Sequence, residues 1–283
     1  VPEVSRPQQL EFDDPVAALD VRIVNGAVNV VGTDAPGARV EIAEIHGPPL
    51  EVRREGDRIV VAYDDLPWKG FLKLLDRKGW ERSAVVTVSV PAGTRLHLGV
   101  VAATAVVSGV HGGTTVRGVS GGCTLVGLGG EVRADTVSGA VEAQALRGPL
   151  CLKSVSGHLT VIDGDGSSVR ADTVSGDMIL DLAHTAGRPD IALATVSGEV
   201  AVRLPDTTDA VVQAGTAGGA LSSAFDALRV AGHWGAQSLT GTLGTGAGRL
   251  RVKTVSGTVA LLRRPPQEDA VGAGAAYDLR KDV

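Results

Sequence analysis

Five serines in this sequence sit in nearly identical surroundings. Ser138, Ser156, Ser175, Ser197 and Ser256 each follow a Thr-Val or Ser-Val pair and precede Gly139, Gly157, Gly176, Gly198 or Gly257. A serine held in a glycine turn is a candidate nucleophile, and acyl transfer is the chemistry it would do. Such a nucleophile must be activated by one base in one place, and five equivalent copies cannot share it. The motif also lacks the first glycine of a GxSxG elbow and lies between two strand-like segments, where that elbow needs a strand and a helix. The ten Ser and Gly positions are therefore read as the corners of a structural repeat, with no catalytic residue assigned.

Other residue types with chemical potential are weaker. Asp163 and Asp165 in "IDGDGSS" have the spacing that opens many calcium loops, but no acidic residue follows at the distance an EF-hand needs, so an ordinary Gly-rich turn is expected. Six histidines, at 46, 97, 111, 158, 184 and 233, show no HExxH or paired spacing. Cys123 and Cys151 lie 28 residues apart with no CxxC, which suggests two apolar packing residues. The stretch "GTGAG" at Gly244 to Gly248 looks like a phosphate cradle, yet it lacks the Lys-Ser/Thr ending and leads into a strand. No metal and no cofactor is expected.

What positions the serines is a repeat. Aligned on the Ser-Gly pair, the copies are "GVSGGCTL" at Ser120, "TVSGAVEA" at Ser138, "SVSGHLTV" at Ser156, "TVSGDMIL" at Ser175, "TVSGEVAV" at Ser197 and "TVSGTVAL" at Ser256. "TAGGALSS" around Gly218 is a degenerate copy, and "IVNGAVNV" around Asn25 extends the pattern towards the N-terminus. The steps are 18, 18, 19, 22 and 21 residues, and the last gap, from 218 to 256, is 38, or twice 19. That is the period of a solenoid rung.

The apolar alternation shows how each rung bends. Val132, Ala134 and Thr136 share one parity, whereas Val137, Val141 and Ala143 share the other. A regular strand cannot do this without turning apolar residues outward, so two short strands meeting at a corner are expected at the Thr-Val step. Stacking would then line Val137, Val155, Val174, Val196 and Val255 into a ladder along the core, and Val174→Asp would unfold the protein.

Composition agrees with a thin all-β core. The chain has 283 residues, 43 % hydrophobic and only 3 % aromatic, with 38 glycines and a formal net charge of −5. The negative balance gives no overall footprint for nucleic acid. The N-terminal part, in segments such as "LDVRIVNGAVNVVG" and "AVVTVSVPAG", alternates like strands. One segment differs. In "LPWKGFLKLLDRKGW", Trp68, Phe71, Leu72 and Leu75 fall at i, i+3, i+4 and i+7, which predicts a short amphipathic helix over about 67–80. It is read as a cap over an end rung. The alternative is a docking surface for a partner or a membrane, carried by Trp68, Lys69, Phe71, Leu72, Lys73 and Trp80.

The recurrent "TVSGxhxh", the opening "LDVRIVNGAVNVVG" and the closing "LTGTLGTGAGRLRVKTVSGTVALL" resemble the bacterial β-strand-repeat family called Toastrack, labelled a "putative adhesin". The resemblance runs over about 10–264. It implies a stack of β repeats that serves as a platform for protein assembly, often near envelope-stress and signalling systems, and it carries no catalytic residues.

The expectation is thus an all-β, single-domain β-solenoid of stacked two-strand rungs of about 18–22 residues, with a short amphipathic helical insert. An N-terminal extension at 1–9 precedes the solenoid at 10–264, and a flexible tail at 265–283 follows it. With no export signal at its start and no run of about 18 apolar residues, a cytoplasmic location is expected. The function expected is a non-enzymatic scaffold whose partner is an unidentified protein, with no nucleic acid. The alternative is an adhesin or envelope-facing binding module. A polysaccharide-active β-helix enzyme comes third, because it would need facing carboxylates in a cleft.

Overall fold

The structure, a computed structural model, describes residues 3–63, 82–165, 167–185, 187–233 and 235–265. Every regular element among them is a β-strand, and the strands form two sheets, of fourteen and twelve strands. From Thr104 to Leu204 the chain alternates between the sheets, laying one strand in each before advancing one rung. In the larger sheet, Thr114–Gly118, Val132–Thr136, Leu150–Lys153, Ser168–Asp172 and Asp190–Thr195 run parallel in that order. In the smaller, Thr104–Ser108, Cys123–Val126, Val141–Gln144, Leu159–Asp165, Met178–His184 and Val200–Leu204 do the same.

The registers put like positions of successive copies on top of one another, so every inward position becomes a column. Leu98, Val116, Ala134, Leu152, Ala171, Leu193 and Val252 form one in the larger sheet. Val107, Leu125, Ala143, Val161, Leu180, Val202 and Leu261 form another in the smaller. All are buried. Because the columns face each other across a narrow space, small and medium aliphatics fill it, which is why so few aromatic residues suffice.

Three expectations need correction. The first concerns the single stack of rungs with a helical insert. Both sheets are mixed: parallel in the middle and antiparallel at the ends, where Gln8–Phe12, Ala38–His46 and Ser83–Pro91 pair in succession, and where Ala210–Thr216, Ala236–Leu243 and Leu228–His233 do likewise. Period-2 alternation reports a strand but not its direction, so sequence pattern alone did not separate rung from hairpin. No helix occurs among the described residues. The segment expected to be helical, 67–80, lies outside them, as does the tail from 266 onward.

Rung order is the second correction. The 38-residue gap is not two rungs laid in sequence. The rung made by Gly248–Thr254 and Val259–Arg263 slots between the rung of Asp190–Thr195 and Val200–Leu204 and the rung of Ala210–Thr216 and Leu221–Ser223.

The third is the valine ladder. Val155, Val174, Val196 and Val255 are 46–53 % exposed, while Thr136, Ser154, Thr173, Thr195 and Thr254 are buried. The parity switch is real, but its inward positions are Thr and Gly, with Val and Ser turned out together between them. A hydroxyl at the inward position can satisfy the turn's amides, and a valine there cannot.

Candidate functional site

At three of the five corners the buried hydroxyl closes a local turn. Gly157 N donates to Ser154 Oγ at 2.8 Å, Gly176 N to Thr173 Oγ1 at 3.0 Å and Gly257 N to Thr254 Oγ1 at 2.9 Å. The outward serine bonds to the rung before it: Ser138 Oγ donates to the Val119 carbonyl at 3.1 Å, Ser156 Oγ to Val137 at 3.3 Å and Ser256 Oγ to Val196 at 3.3 Å. The weaker Ser175 Oγ contact, to Val155, is 3.5 Å. A hydroxyl that donates to a carbonyl is held in its neutral, unreactive form. These serines staple rungs together.

The corner glycines have a separate cause, which is space. A Cβ on Gly139 would lie 2.1 Å from the Gly121 carbonyl oxygen, one on Gly157 2.2 Å from that of Gly139, and one on Gly176 1.9 Å from that of Gly157. Gly198 and Gly257 continue the column, at 2.4 Å from Gly176 O and 1.9 Å from Gly198 O. None of these five has positive φ. Each glycine is there because the previous rung's backbone occupies the place of a side chain.

The remaining candidates also turn out to be structural. Asp163 lies within a continuous strand, at φ 53° beside a register shift between Val161 and Gly164, so Ile162 to Asp165 form a bulged strand where a turn was expected. Its carboxylate receives Arg264 Nη2 at 2.5 Å, and Arg264 Nη1 reaches Asp181 at 3.0 Å. These two carboxylates hold an arginine where a calcium loop would hold a cation. Among the described residues no group of three or more His, Cys, Asp or Glu could hold a metal. Cys123 is buried, and desolvation pushes its thiol up to about 12.

The "GTGAG" loop does bind an anion, its own. Asp209 accepts from Ala247 N at 2.9 Å and from Thr245 Oγ1 at 2.7 Å, and Gly244 and Gly246 take φ of 60° and 79° to aim the amides. The Ala247 amide first, and then the Thr245 hydroxyl, hold this carboxyl below its usual range. A depressed folded value stabilises above the unfolded carboxyl range and is lost as pH falls through the folded value. Asp209→Asn is therefore expected to melt below wild type at pH 7, with the difference closing below about pH 4. Thermal melts across pH measure it, and a constant offset at all pH would contradict the assignment.

What the rungs offer to solvent is two flat faces and one ridge. The ridge is the corner valines, stacked directly by Val174 N to Val155 O at 3.2 Å, Val196 N to Val174 O at 3.1 Å and Val255 N to Val196 O at 3.2 Å. On the outer face of the larger sheet, two columns of outward side chains run beside it. Nearest the ridge, charge alternates in sign from strand to strand: Arg117, Asp135, Lys153 and Asp172. Opposite charges on neighbouring strands stabilise one another, so this column is self-compensated. Two residues earlier in each strand, the second column reads Thr115, Arg133, Cys151, Arg170, Ala192 and Arg251, with no carboxylate among these six; beyond Thr115 it continues through His97 to Asp20.

Of the residues singled out in the sequence, the five Ser-Gly pairs lie at the corners between sheets, in line with one another. The docking set Trp68, Lys69, Phe71, Leu72, Lys73 and Trp80 lies outside the described residues. The arginine column was missed: the position five before the corner residue reads Thr, Arg, Cys, Arg and Ala through the copies at 120, 138, 156, 175 and 197, then Gln in the copy at 218 and Arg in that at 256, so the row is interrupted in chain order.

A family model, Toastrack DUF4097, matches residues 82–262. No curated protein matches the chain. Among solved structures, a "putative cell adhesion protein" from Clostridium sporogenes is 10 % identical over 92 % of this chain and 100 % of its own, with a TM-score of 0.32. A "putative adhesin" from Bacteroides fragilis is 12 % identical over 93 % and 100 %, at 0.45. A "putative lipid binding protein" from Parabacteroides distasonis is 13 % identical over 94 % and 99 %, at 0.46. The cytoplasmic location expected above is withdrawn: it rested on the residues at which the sequence begins and on the lack of a long apolar run, and neither fixes a location.

Proposed function

We propose, from the premise that the chain belongs to the Toastrack DUF4097 family, that it is an adhesive binding module that meets an extended surface along the length of its stack. The observation that carries this reading is the ridge of Val155, Val174, Val196 and Val255, each about half exposed and aligned along one edge. A lone exposed valine is ordinary, whereas aliphatics lined up rung upon rung form a continuous apolar strip of the kind that marks interaction surfaces. The fold does not need them, since Ala217 holds the same place in the copy at Gly218. A straight ridge suits a surface or a long partner better than a small ligand, which needs a concave pocket.

Co-sedimentation of the purified chain with isolated bacterial envelopes tests this. Wild type is expected to pellet with them, and Val174→Ser/Val196→Ser to stay in the supernatant with an unchanged melting curve. A wild type that never pellets, or a double variant that pellets equally, would overturn the reading. Assembly on a soluble protein, the scaffold reading, then takes its place.

A further inference from the structure

On that binding-module reading, we propose that the arginine column of the larger sheet, free of carboxylates from Thr115 to Gln213, is a track for a linear acidic polysaccharide bearing one anionic group on every second sugar. Arg133, Arg170 and Arg251 occupy alternate strands of one column, separated by Cys151 and Ala192. Strands in a sheet are about 4.8 Å apart, so these arginines recur at about 10 Å along a straight line. An extended pyranose chain advances by nearly one strand spacing per ring. Where acidic and neutral sugars alternate, each carboxylate therefore meets a guanidinium and each neutral ring lies over Cys151 or Ala192.

The column's charge is what sets it apart. Like charges on adjacent strands repel, and spacing arginines by a small residue relieves that. This accounts for the gaps but not for the missing carboxylates, because the neighbouring column solves the same problem by alternating sign. Arg133 pairs with Glu131 within its own strand's approach, at 3.0 Å. Arg170 and Arg251 are exposed and make no ion pair with any described residue. Guanidinium groups bind carboxylates bidentately, which suits a sugar acid.

Other polyanions fit less well. Outward positions from Thr115 to Gln213 on this face carry no aromatic ring, so there is no stacking platform for single-stranded nucleic acid. An extended acidic peptide presents same-side carboxylates about 6.7 Å apart, out of step with the column. A flat anionic bilayer would press on Asp135, Asp172 and Asp190 together with the arginines, whereas a single polymer chain touches only one column.

The test is fluorescence anisotropy at low ionic strength with an end-labelled hyaluronan oligomer, in which glucuronate and N-acetylglucosamine alternate. Wild type is expected to bind it in a salt-sensitive way, and Arg170→Gln/Arg251→Gln to weaken binding about tenfold or more. Ala192→Glu, which keeps both arginines and puts a carboxylate between them, is expected to do the same. Arg147→Gln, on a loop, should change nothing. All variants alter exposed or half-exposed outward positions, and their melting curves should match wild type. No hyaluronan binding by wild type, equal binding by the double variant, or equal or tighter binding of oligo-dT, polyglutamate or phosphatidylserine vesicles would each overturn the proposal. Envelope co-sedimentation that survives the arginine changes but not the valine changes would sink the track and leave the binding module standing.

Discussion

Gly176→Ala is expected to destabilise the protein by about 3 kcal/mol or more, at or beyond the upper end of what overpacking a core costs. One methyl group is the whole change. Its carbon would lie 1.9 Å from the Gly157 carbonyl oxygen and 2.9 Å from Thr173 Oγ1, and backbone cannot give way as a flexible side chain can. Gly176 O in turn lies 2.4 Å from where a Cβ of Gly198 would be, so a displaced rung disturbs the next. For a domain of this size the loss corresponds to a fall of about 6–12 °C in melting temperature. Gly218→Ala is the control: it sits in the degenerate copy, its nearest neighbour would be Val255 O at 3.8 Å, and it is expected to melt within a degree or two of wild type. Equal effects from the two changes would refute the stacking account of the glycines.

A second contrast separates the inside of the rung from the outside. Leu180 is fully buried between Val161 and Val202 in the core of the smaller sheet, and Leu180→Ala is expected to cost about 2–5 kcal/mol. Val174→Asp, only six residues away, replaces a half-exposed side chain on the ridge and is expected to fall within about 0.5 kcal/mol of wild type. Urea unfolding midpoints decide it. If Val174→Asp were the more damaging, the valines would belong to the core after all.

The all-β repeat was legible because it is nearly literal. The Ser-Gly alignment located the corners, and the parity switch between Thr136 and Val137 located the bend. The sign of the bend was not legible. A Thr-Val pair offers one polar and one apolar residue, and hydrophobicity alone nominates valine for the interior. The deciding term is the Gly amide three residues after the threonine, which needs a buried acceptor, and Thr173 Oγ1 and Thr254 Oγ1 supply it. Strand direction in the N-terminal part was equally hidden, since Ala38–His46 and Thr104–Ser108 both alternate while one is antiparallel and the other parallel to its neighbours.

The candidate site was less legible for a different reason. The alternation of Arg133, Cys151, Arg170, Ala192 and Arg251 is visible along the copies, but it becomes a spatial row only because Gly248–Thr254 lies beside Asp190–Thr195. In chain order the Gly218 copy intervenes, and the row is broken. Outward residues also carry no packing constraint, so their pattern looks like free variation until the register is known.

That displaced rung bears on how the molecule is made. A chain emerging from the ribosome can add rungs in order only as far as Asp190–Thr195 and Val200–Leu204. The next segment to appear, Ala210–Thr216, has its parallel neighbour Gly248–Thr254 still unsynthesised. The segments 210–223 and 248–263 therefore join the parallel stack only once both have been made. A nascent chain stopped before Gly248 would leave Asp190–Thr195 and Val200–Leu204 without their next neighbour, and so an unpaired edge in each sheet.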